Sequence, residues 1–292
     1  MLNKIRILVI VFIISLIFGI TFVAVRHSVS QPIVPAYIPP EAVSWQILKS
    51  KIEQRVYRFP GIVGIMVKDL KTGVAIKYNS DRLFSSASLV KIPLMVAIFQ
   101  REQEGKLELG RCLILQRQNK VGGSGKIKFC RPGAKFTVFD LLKRMITESD
   151  NTATNMLADY LGYDYINSVF IQIGLQKTNF YRPIMDFKIR ELGIENYTTP
   201  EEMSYLLEQL YNGKLVGERA SKIMLDILGQ QKINDRISRG LPRGWRVAHK
   251  TGLQREVCHD VGIVYHPLGD FTICVLTDKI YNFRIAKRLI SD

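Results

Sequence analysis

The sequence predicts an α+β domain in which strands from both ends of the chain meet in one antiparallel sheet, with a block of helices inserted between them. Three observations predict this fold. Strand-like runs lie between Gly61 and Asp81, apolar residues follow helical spacing from Ser88 to about Leu210, and further strand-like runs follow Gly240. A cleft between the two parts is the expected place for a functional site.

The elements can be assigned in order along the chain. Glu41–Tyr57 has the pattern of an amphipathic helix, and Gly61–Asp81 reads as two strands joined by a turn at Lys71–Gly73. In the stretch FTVFDLLKRMIT, apolar side chains recur at i, i+3, i+4, i+7 and i+8, so they share one helix face. Turn residues around Leu268 separate the last two strands, and Tyr281–Ile290 closes the chain as a helix.

The first 28 residues differ from the rest. Ile7–Val25 is almost entirely apolar and is flanked by basic residues, which is long enough to cross a bilayer as a helix. We expect an uncleaved N-terminal membrane anchor, with a cleaved signal peptide as the alternative. In either case the remainder lies outside the cytoplasm, with residues 29–40 as a proline-rich linker and residues 41–292 as one domain.

The chain is strongly basic, with a formal net charge of +15 from 41 basic and 26 acidic residues. Basic residues are scattered, which is typical of a solvated surface rather than a nucleic-acid site. For an exported chain, the expected anionic partners are cell-envelope polymers and lipid head groups. We expect a monomer that holds no metal and no cofactor.

Four cysteines raise the question of disulfides outside the cytoplasm. Cys112 and Cys130 lie in one loop-rich segment and could be bridged or free. A hairpin centred on Leu268 would pair Cys274 with Gly262 rather than with Cys258. We therefore expect the last two cysteines to be buried thiols on core strands.

The first chemical motif is S-x-x-K, formed by Ser88 and Lys91 ahead of an apolar helix. Positions i and i+3 share a helix face, so the lysine amine can reach the serine hydroxyl. A nucleophilic serine needs such an adjacent base. A lysine acts as that base only if burial or a second cation lowers its pKa. Alone, the motif is most often structural.

The second motif is S-D-N, at Ser149, Asp150 and Asn151, where it interrupts a helical pattern. Its structural interpretation is a helix break with Ser149 or Asn151 as the cap of the next helix. The third motif, H-K-T-G, ends with Lys250, Thr251 and Gly252 before the last strand pair. Lys250 would supply the second cation, and Gly252 would let a substrate lie against the strand.

The three motifs in this order form the signature of class A β-lactamases and penicillin-binding proteins. The stretch KFTVFDLLKRMITESDNTATNMLADYLG and the GGSG at Gly122–Gly125 also resemble that family, and the likeness runs from about Gly61 to Asp278. The resemblance implies a five-stranded antiparallel sheet that carries the terminal helices beside an all-α lobe, with the active site between them.

The resemblance also implies a role for each motif residue. Ser88 is the nucleophile, its backbone N–H is half of an oxyanion hole, and Lys91 is its base or proton relay. Ser149 delivers a proton to the leaving nitrogen, while Asn151 positions the substrate amide. Lys250 and Thr251 bind the substrate carboxylate.

One family motif does not match. Class A β-lactamases hydrolyse the acyl-enzyme with a glutamate in R-x-E-x-x-L-N, but two residues after Arg182 this chain has Ile184. Asp186 is the best substitute and Glu191 a poorer one. Alternatively, Asp186 is a structural carboxylate paired with Arg182 or Arg190.

Three functions follow. The first is a β-lactamase that opens β-lactams through an acyl-serine. The second is a peptidase that acts on D-alanyl peptides of peptidoglycan, because a shorter or misplaced base slows release of the acyl group. The third is a non-catalytic sensor of β-lactams or cell wall, although only Met1–Arg6 lies beyond the predicted anchor to carry a signal.

Overall fold

The computed structural model describes residues 40–292, with side chains from residue 44 onward. The predicted anchor, and the predicted linker up to residue 39, lie outside the described residues. Residues Leu48–Asp292 form one compact unit. Apart from the first turns of the first helix, everything below belongs to this unit.

Nine strands and ten α-helices follow one another in the described part of the chain. The strands are β1 (Ile62–Asp69), β2 (Ala75–Tyr78), β3 (Phe84–Ser85), β4 (Cys112–Ile114), β5 (Lys135–Thr137), β6 (Tyr197–Thr198), β7 (Arg246–Gln254), β8 (Val257–Tyr265) and β9 (Phe271–Asp278). The helices are α1 (Pro40–Tyr57), α2 (Lys91–Gln103), α3 (Val138–Thr147), α4 (Asn151–Leu161), α5 (Tyr163–Gln172), α6 (Phe187–Glu191), α7 (Pro200–Tyr211), α8 (Glu218–Leu228), α9 (Ile237–Gly240) and α10 (Phe283–Ser291). Helix α1 begins one residue earlier than predicted, since proline fits the first turn of a helix.

Five antiparallel strands form one sheet in the order β2-β1-β9-β8-β7. Strand β1 pairs with β9 along its whole length, from Ile62 opposite Asp278 to Asp69 opposite Phe271. The predicted meeting of the two ends of the chain in one sheet is therefore confirmed. Helix α7 packs on β1, β8 and β9, and α10 packs on β8. Strand β7, which carries the H-K-T-G stretch, is an outer strand of the sheet.

Helix α2 is the centre of the helical block. Every residue from Lys91 to Phe99 is buried, and α3, α4, α5 and α8 all contact this helix. A helix that is apolar around its whole circumference belongs in a core, so α2 is a rigid support. It follows directly on a one-turn 3₁₀ helix, Ala87–Val90, which contains Ser88.

The β8–β9 hairpin differs from the prediction by one residue. Cys274 lies opposite Val261, not Gly262, because Val264 pairs with Phe271 and the centre of the turn falls between residues 267 and 268. The turn is fixed by hydrogen bonds: the backbone N–H of His266 donates to Asp270 Oδ1 at 2.9 Å, and that of Gly269 to the His266 carbonyl at 3.0 Å.

All four cysteines are free thiols. Cys258 and Cys274 are buried on β8 and β9, which confirms the prediction for these two residues. The possible bridge between Cys112 and Cys130 is not made. Cys112 is exposed on the short strand β4, whereas Cys130 packs against the hydrophobic core, so the two thiols occupy different environments.

Candidate active site

A cavity of about 460 Å³ contains Ser88 in its wall. It is lined from five parts of the chain: the 3₁₀ turn before α2, the GGSG loop with the start of α4, the loop between α5 and β6, the end of β7 with Arg255, and the first residue of α10. The lining residues are Ala87, Ser88, Gly123, Ser124, Asn151, Arg182, Ile184, Met185, Phe187, Glu195, Asn196, Leu253, Gln254, Arg255 and Phe283. Two of the three predicted motifs, S-x-x-K and S-D-N, therefore contribute a residue to the cavity lining. The third, H-K-T-G, is connected to them through the contact of Lys250 with Ser149.

Ser88 is half-buried at the start of the rigid helix α2. The residue before it, Ala87, has a φ of 45°, in the left-handed region that non-glycine residues seldom adopt. Such a conformation is unfavourable by about 1–3 kcal/mol and is found where the surrounding structure fixes a functional residue. His259 helps to fix this segment, because its Nε2 bonds the Ser85 carbonyl at 2.8 Å. No sequence motif had pointed to this contact of His259.

Lys91 is fully buried and points to the S-D-N motif. Its Nζ donates to the Ser149 carbonyl at 2.8 Å and to Asn151 Oδ1 at 2.9 Å, and lies 3.2 Å from Ser149 Oγ. Among the described residues, Ser88 Oγ is not one of its hydrogen-bond partners, although the i, i+3 spacing had predicted that contact. Burial, and then the positive charge of Lys250, hold the pKa of Lys91 well below its usual value, while Asp150 acts in the opposite direction.

Lys250 is the second cation that the sequence predicted. Its ammonium donates to Ser149 Oγ at 3.0 Å and to the Thr251 carbonyl at 2.8 Å. Burial lowers its pKa to about 7, with Asp260 raising it and Arg236 lowering it. The hydroxyl of Ser149 is thus held between the amines of two buried lysines. Such an arrangement can pass a proton from one side of Ser149 to the other.

Ser149 is directed towards the lysines by a sharp break between α3 and α4. Its φ is 54°, and Asp150, not Ser149 or Asn151 as predicted, caps α4 by accepting from the Ala153 N–H at 2.9 Å. The other oxygen of Asp150 accepts the backbone N–H groups of Lys126 and Ile127 at 2.7 and 3.0 Å. A short carboxylate can satisfy both the helix and the neighbouring loop, and this explains the choice of cap.

The GGSG loop packs against the same motif. Asn151 Nδ2 donates to the Gly122 carbonyl at 3.0 Å while its Oδ1 accepts from Lys91, so the side-chain amide is fixed at both ends. Gly125 has a φ of 97°, and a Cβ there would lie 2.1 Å from the Asp150 carboxyl carbon. The loop needs glycine at this position because nothing larger fits beside Asp150.

Thr251 and Gly252 follow Lys250 on β7, and Thr251 is buried. A Cβ on Gly252 would lie 3.1 Å from the His259 ring and 3.4 Å from Leu89. The space that Gly252 leaves is therefore taken by protein, whereas the sequence had predicted space for a substrate. The glycine permits close packing of β7 against the turn that carries Ser88.

The loop between α5 and β6 is held by a buried carboxylate that sequence reasoning missed. Glu195 Oε1 accepts from Arg182 Nε at 2.9 Å and from the Asn196 N–H at 2.7 Å. Its Oε2 lies 3.0 Å from Arg190 Nε and accepts from Gln254 Nε2 at 3.2 Å. Both arginines thus pair with Glu195, and the predicted alternative pairing with Asp186 is wrong. The only sign of this ion pair in the sequence is that an arginine lies near the start of the loop and a glutamate near its end.

From this loop, Ile184 rather than Asp186 lines the cavity. Asn155 holds Ile184 in place by accepting from its N–H at 2.9 Å and donating to its carbonyl at 3.0 Å. Asp186 is half-buried, and its Oδ1 accepts from the Ile189 N–H at 3.1 Å as the cap of α6. Glu191, the second candidate base, is exposed and is likewise not part of the cavity lining.

Comparisons with known proteins give one consistent family. A sequence model of the beta-lactamase enzyme family, Beta-lactamase2, matches residues 47–292. Beta-lactamase ROB-1 of Haemophilus influenzae is 26% identical over 251 residues, which cover 82% of this chain and 80% of that protein. Beta-lactamase VEB-1 of Pseudomonas aeruginosa is 24% identical over 265 residues, which cover 84% and 87%.

Solved structures give the same result. A beta-lactamase from Sphaerobacter thermophilus superposes with a TM-score of 0.78 at 29% identity, covering 85% of this chain and 94% of that one. A protein named PBP-A superposes with a TM-score of 0.78 at 30% identity, covering 84% and 92%. Because the family match extends over most of the chain, this protein belongs to the beta-lactamase enzyme family and is a class A β-lactamase-like serine hydrolase.

Proposed function

We propose that the protein opens β-lactams through a covalent acyl-enzyme on Ser88. Ser88 Oγ attacks the lactam carbonyl carbon, and its proton passes to the neutral amine of Lys91. As the C–N bond of the ring breaks, the nitrogen takes a proton from Ser149, which regains one from a neighbouring lysine. The observation that carries this proposal is the Ser149 hydroxyl between the two buried amines, at 3.2 Å from Lys91 and 3.0 Å from Lys250.

The remaining motif residues would bind the substrate. Lys250 and Thr251 would hold the substrate carboxylate, and the Asn151 amide would bind the side-chain amide of the substrate. The Ser88 N–H would be half of the oxyanion hole, since a backbone N–H aimed at a developing negative charge stabilises the transition state. Burial of Lys91 supports its role as base, because it keeps the amine neutral at a lower pH.

A D-alanyl peptidase of peptidoglycan is a second candidate, and the side of the Ser88 cavity formed by the loop between α5 and β6 favours it. Hydrolysis of the acyl-enzyme needs a base within hydrogen-bond reach of a water. The loop presents Ile184 at the cavity, while both oxygens of Glu195 are occupied by donors. One structure similar to this chain is a PBP-A mutant, solved as an acyl-enzyme complex with penicillin G. Slow release of the acyl group is therefore the expected behaviour.

The proposal extends to where the protein acts. An exported domain tethered by Ile7–Val25, with residues 29–40 as linker and residues 41–292 as the hydrolase, would meet β-lactams and cell-envelope polymers as a monomer. The support is the apolar run and its basic flanks in the sequence. Within residues 40–292, no helix is both long and apolar enough to span a bilayer.

Intact-protein mass spectrometry tests the chemistry. The full chain is mixed with benzylpenicillin and sampled over hours beside Ser88→Ala and Ile184→Glu variants. We expect one adduct on the parent and none on Ser88→Ala, and a labelled peptide elsewhere in the chain would refute the assignment of Ser88.

The time course separates the candidates. An adduct that clears while the drug is consumed identifies a β-lactamase, whereas one that persists for hours identifies a peptidase or a sensor. Cleavage of D-alanyl-D-alanine peptides then separates these two. If the missing carboxylate limits release, Ile184→Glu should shorten the lifetime of the adduct about tenfold or more.

A further inference from the structure

A second cavity, of about 710 Å³, lies on the N-terminal half of β7. One wall is formed by five consecutive residues, Trp245–His249, and another by helix α8 and the loop that follows it. No residue of this lining also lines the Ser88 cavity. The volume falls in the range of about 300–1,000 Å³ that is typical of small-molecule sites.

Two aromatic rings in this wall are held in fixed orientations. Trp245 is half-buried and packs edge-on against the His266 ring, with 4.3 Å between centroids. The Arg246 guanidinium stacks over the Tyr265 ring, 5.1 Å from its centroid. Trp245 therefore offers the cavity an apolar platform, which suits a ligand with one apolar face, whereas the Tyr265 ring is covered by Arg246 and packs against the hydrophobic core.

The floor of the cavity is formed by polar side chains that are fixed by hydrogen bonds. His249 Nδ1 bonds Asp260 Oδ1 at 2.9 Å, and His249 Nε2 bonds Asn234 Oδ1 at 3.0 Å. Asn234 Nδ2 donates to the Gln231 carbonyl at 3.1 Å, and Gln231 Nε2 to the Ile146 carbonyl at 3.0 Å. These side chains use their polar atoms in hydrogen bonds within the protein, so they shape the site rather than bind a ligand.

The side chains that are available to a ligand carry complementary chemistry. In the described part of the chain, Lys222, Asp226 and Ser238 make no side-chain hydrogen bond, and the Gln230 carbonyl oxygen accepts none. Lys222 can only donate, and ionised Asp226 can only accept. An anion would suit Lys222 but would be repelled by Asp226. A hydroxyl satisfies both because it donates and accepts.

We propose that this cavity is a saccharide-binding site. A sugar ring has a face of C–H groups that packs on Trp245, and its hydroxyls meet Asp226, Lys222 and Gln230. The inference does not depend on acyl-enzyme chemistry, because none of these residues belongs to the Ser88 cavity.

Tryptophan fluorescence offers a direct test, since the chain contains only two tryptophans and Trp45→Phe leaves Trp245 as the single reporter. The full chain with this change is titrated with a trimer of β-1,4-linked N-acetylglucosamine, with maltotriose and with trigalacturonate. We expect a saturable change in emission with at least one neutral trimer. The difference between the two neutral trimers shows whether acetamido groups contribute to binding.

Asp226→Ala should weaken that binding at least tenfold, while Asp164→Ala, a change at an exposed aspartate outside the cavity, should leave it unchanged. No response to either neutral trimer, a response to trigalacturonate alone, or binding that survives Asp226→Ala would overturn the proposal. Acylation by benzylpenicillin is measured on the same variants. A loss there would concern the proposed function, and a loss of sugar binding with normal acylation would concern this cavity alone.

Discussion

The Ser88 cavity has one wall built from regular elements and another, the loop wall, built from the irregular loop between α5 and β6, and the two differ in what their charged groups can do. Next to the first wall, where Lys91 bonds the lining residue Asn151, Lys91 and Lys250 are fully buried and share the Ser149 hydroxyl. On the second, Glu195 is also buried, but every donor around it is directed at its own two oxygens.

This difference separates the two halves of the reaction. Burial lowers the pKa of both lysines, and a strongly shifted pKa beside a cavity is typical of a group that takes part in chemistry. Glu195 is an anion surrounded by cations and N–H groups, which is typical of a group kept for structure. In the proposed mechanism the groups beside the first wall form the acyl-enzyme, whereas on the loop wall both oxygens of Glu195 already accept from donors.

Replacing Lys91 by alanine should have the largest effect. General bases contribute about 10²–10⁴-fold to rates, so we expect the second-order rate constant for acylation by benzylpenicillin to fall about 10³-fold. The rate is measured by quenched-flow mass spectrometry, and circular dichroism checks the fold. Lys188→Ala, at an exposed position on the loop, is the control and should react normally. A Lys91→Ala rate within tenfold of the parent would remove Lys91 from its proposed role.

A substitution in the loop wall should lower the free energy of unfolding of the protein. Glu195→Ala leaves two arginine guanidinium groups without their carboxylate, and loss of one partner of a buried ion pair destabilises by about 3–5 kcal/mol. The free energy of unfolding is measured in urea, beside Glu191→Ala at an exposed position on the same loop, for which we expect a change of about 0.5 kcal/mol or less. Equal effects of the two variants would show that Glu195 does not anchor the loop.

The titration of Lys250 should be visible in the pH dependence of the acylation rate. Its pKa of about 7 means that the free enzyme loses this charge as the pH rises through neutrality. For a penicillin with a carboxylate, the second-order rate constant should then fall about tenfold per pH unit above that value. Lys250→Arg keeps its charge to much higher pH, so the falling limb should disappear between pH 7 and 9. An unchanged limb in this variant would assign it to another group.

The sequence predicted the residues at and beside the first wall much better than those of the loop wall. Ser88 and Lys91, Ser149 and Asn151, and Lys250 each lie within a few residues of a recognisable helix or strand, and the periodic pattern fixes where those elements begin. The contact of Lys91 with Ser149, 58 residues away, was not predicted, because the family resemblance implied only that both residues belong to one active site. The one-residue error in the β8–β9 register arose because the turn is set by the Asp270 side chain, which apolar periodicity does not report.

The loop could not be predicted in the same way, because it has no period and its partners are tertiary. Arg182 and Glu195 are 13 residues apart in an irregular segment, and nothing in the spacing distinguishes Glu195 from Glu191. Asp186 was chosen because the stretch DFKIR, residues 186–190, fits the end of the family motif best, yet the chain turns there so that Ile184 lines the cavity and the Asp186 carboxylate caps α6.

Asp186→Ala should therefore have the smallest effect and gives the sharpest test of the loop wall. Loss of a helix cap costs about 1 kcal/mol, which urea unfolding would detect. The lifetime of the benzylpenicillin adduct should stay within twofold of the parent, because a carboxylate that caps α6 outside the cavity lining does not activate water there. If the adduct instead persists at least ten times longer, Asp186 reaches the acyl group during turnover. In that case the loop moves to supply the missing base, and the two walls would differ only in the resting enzyme.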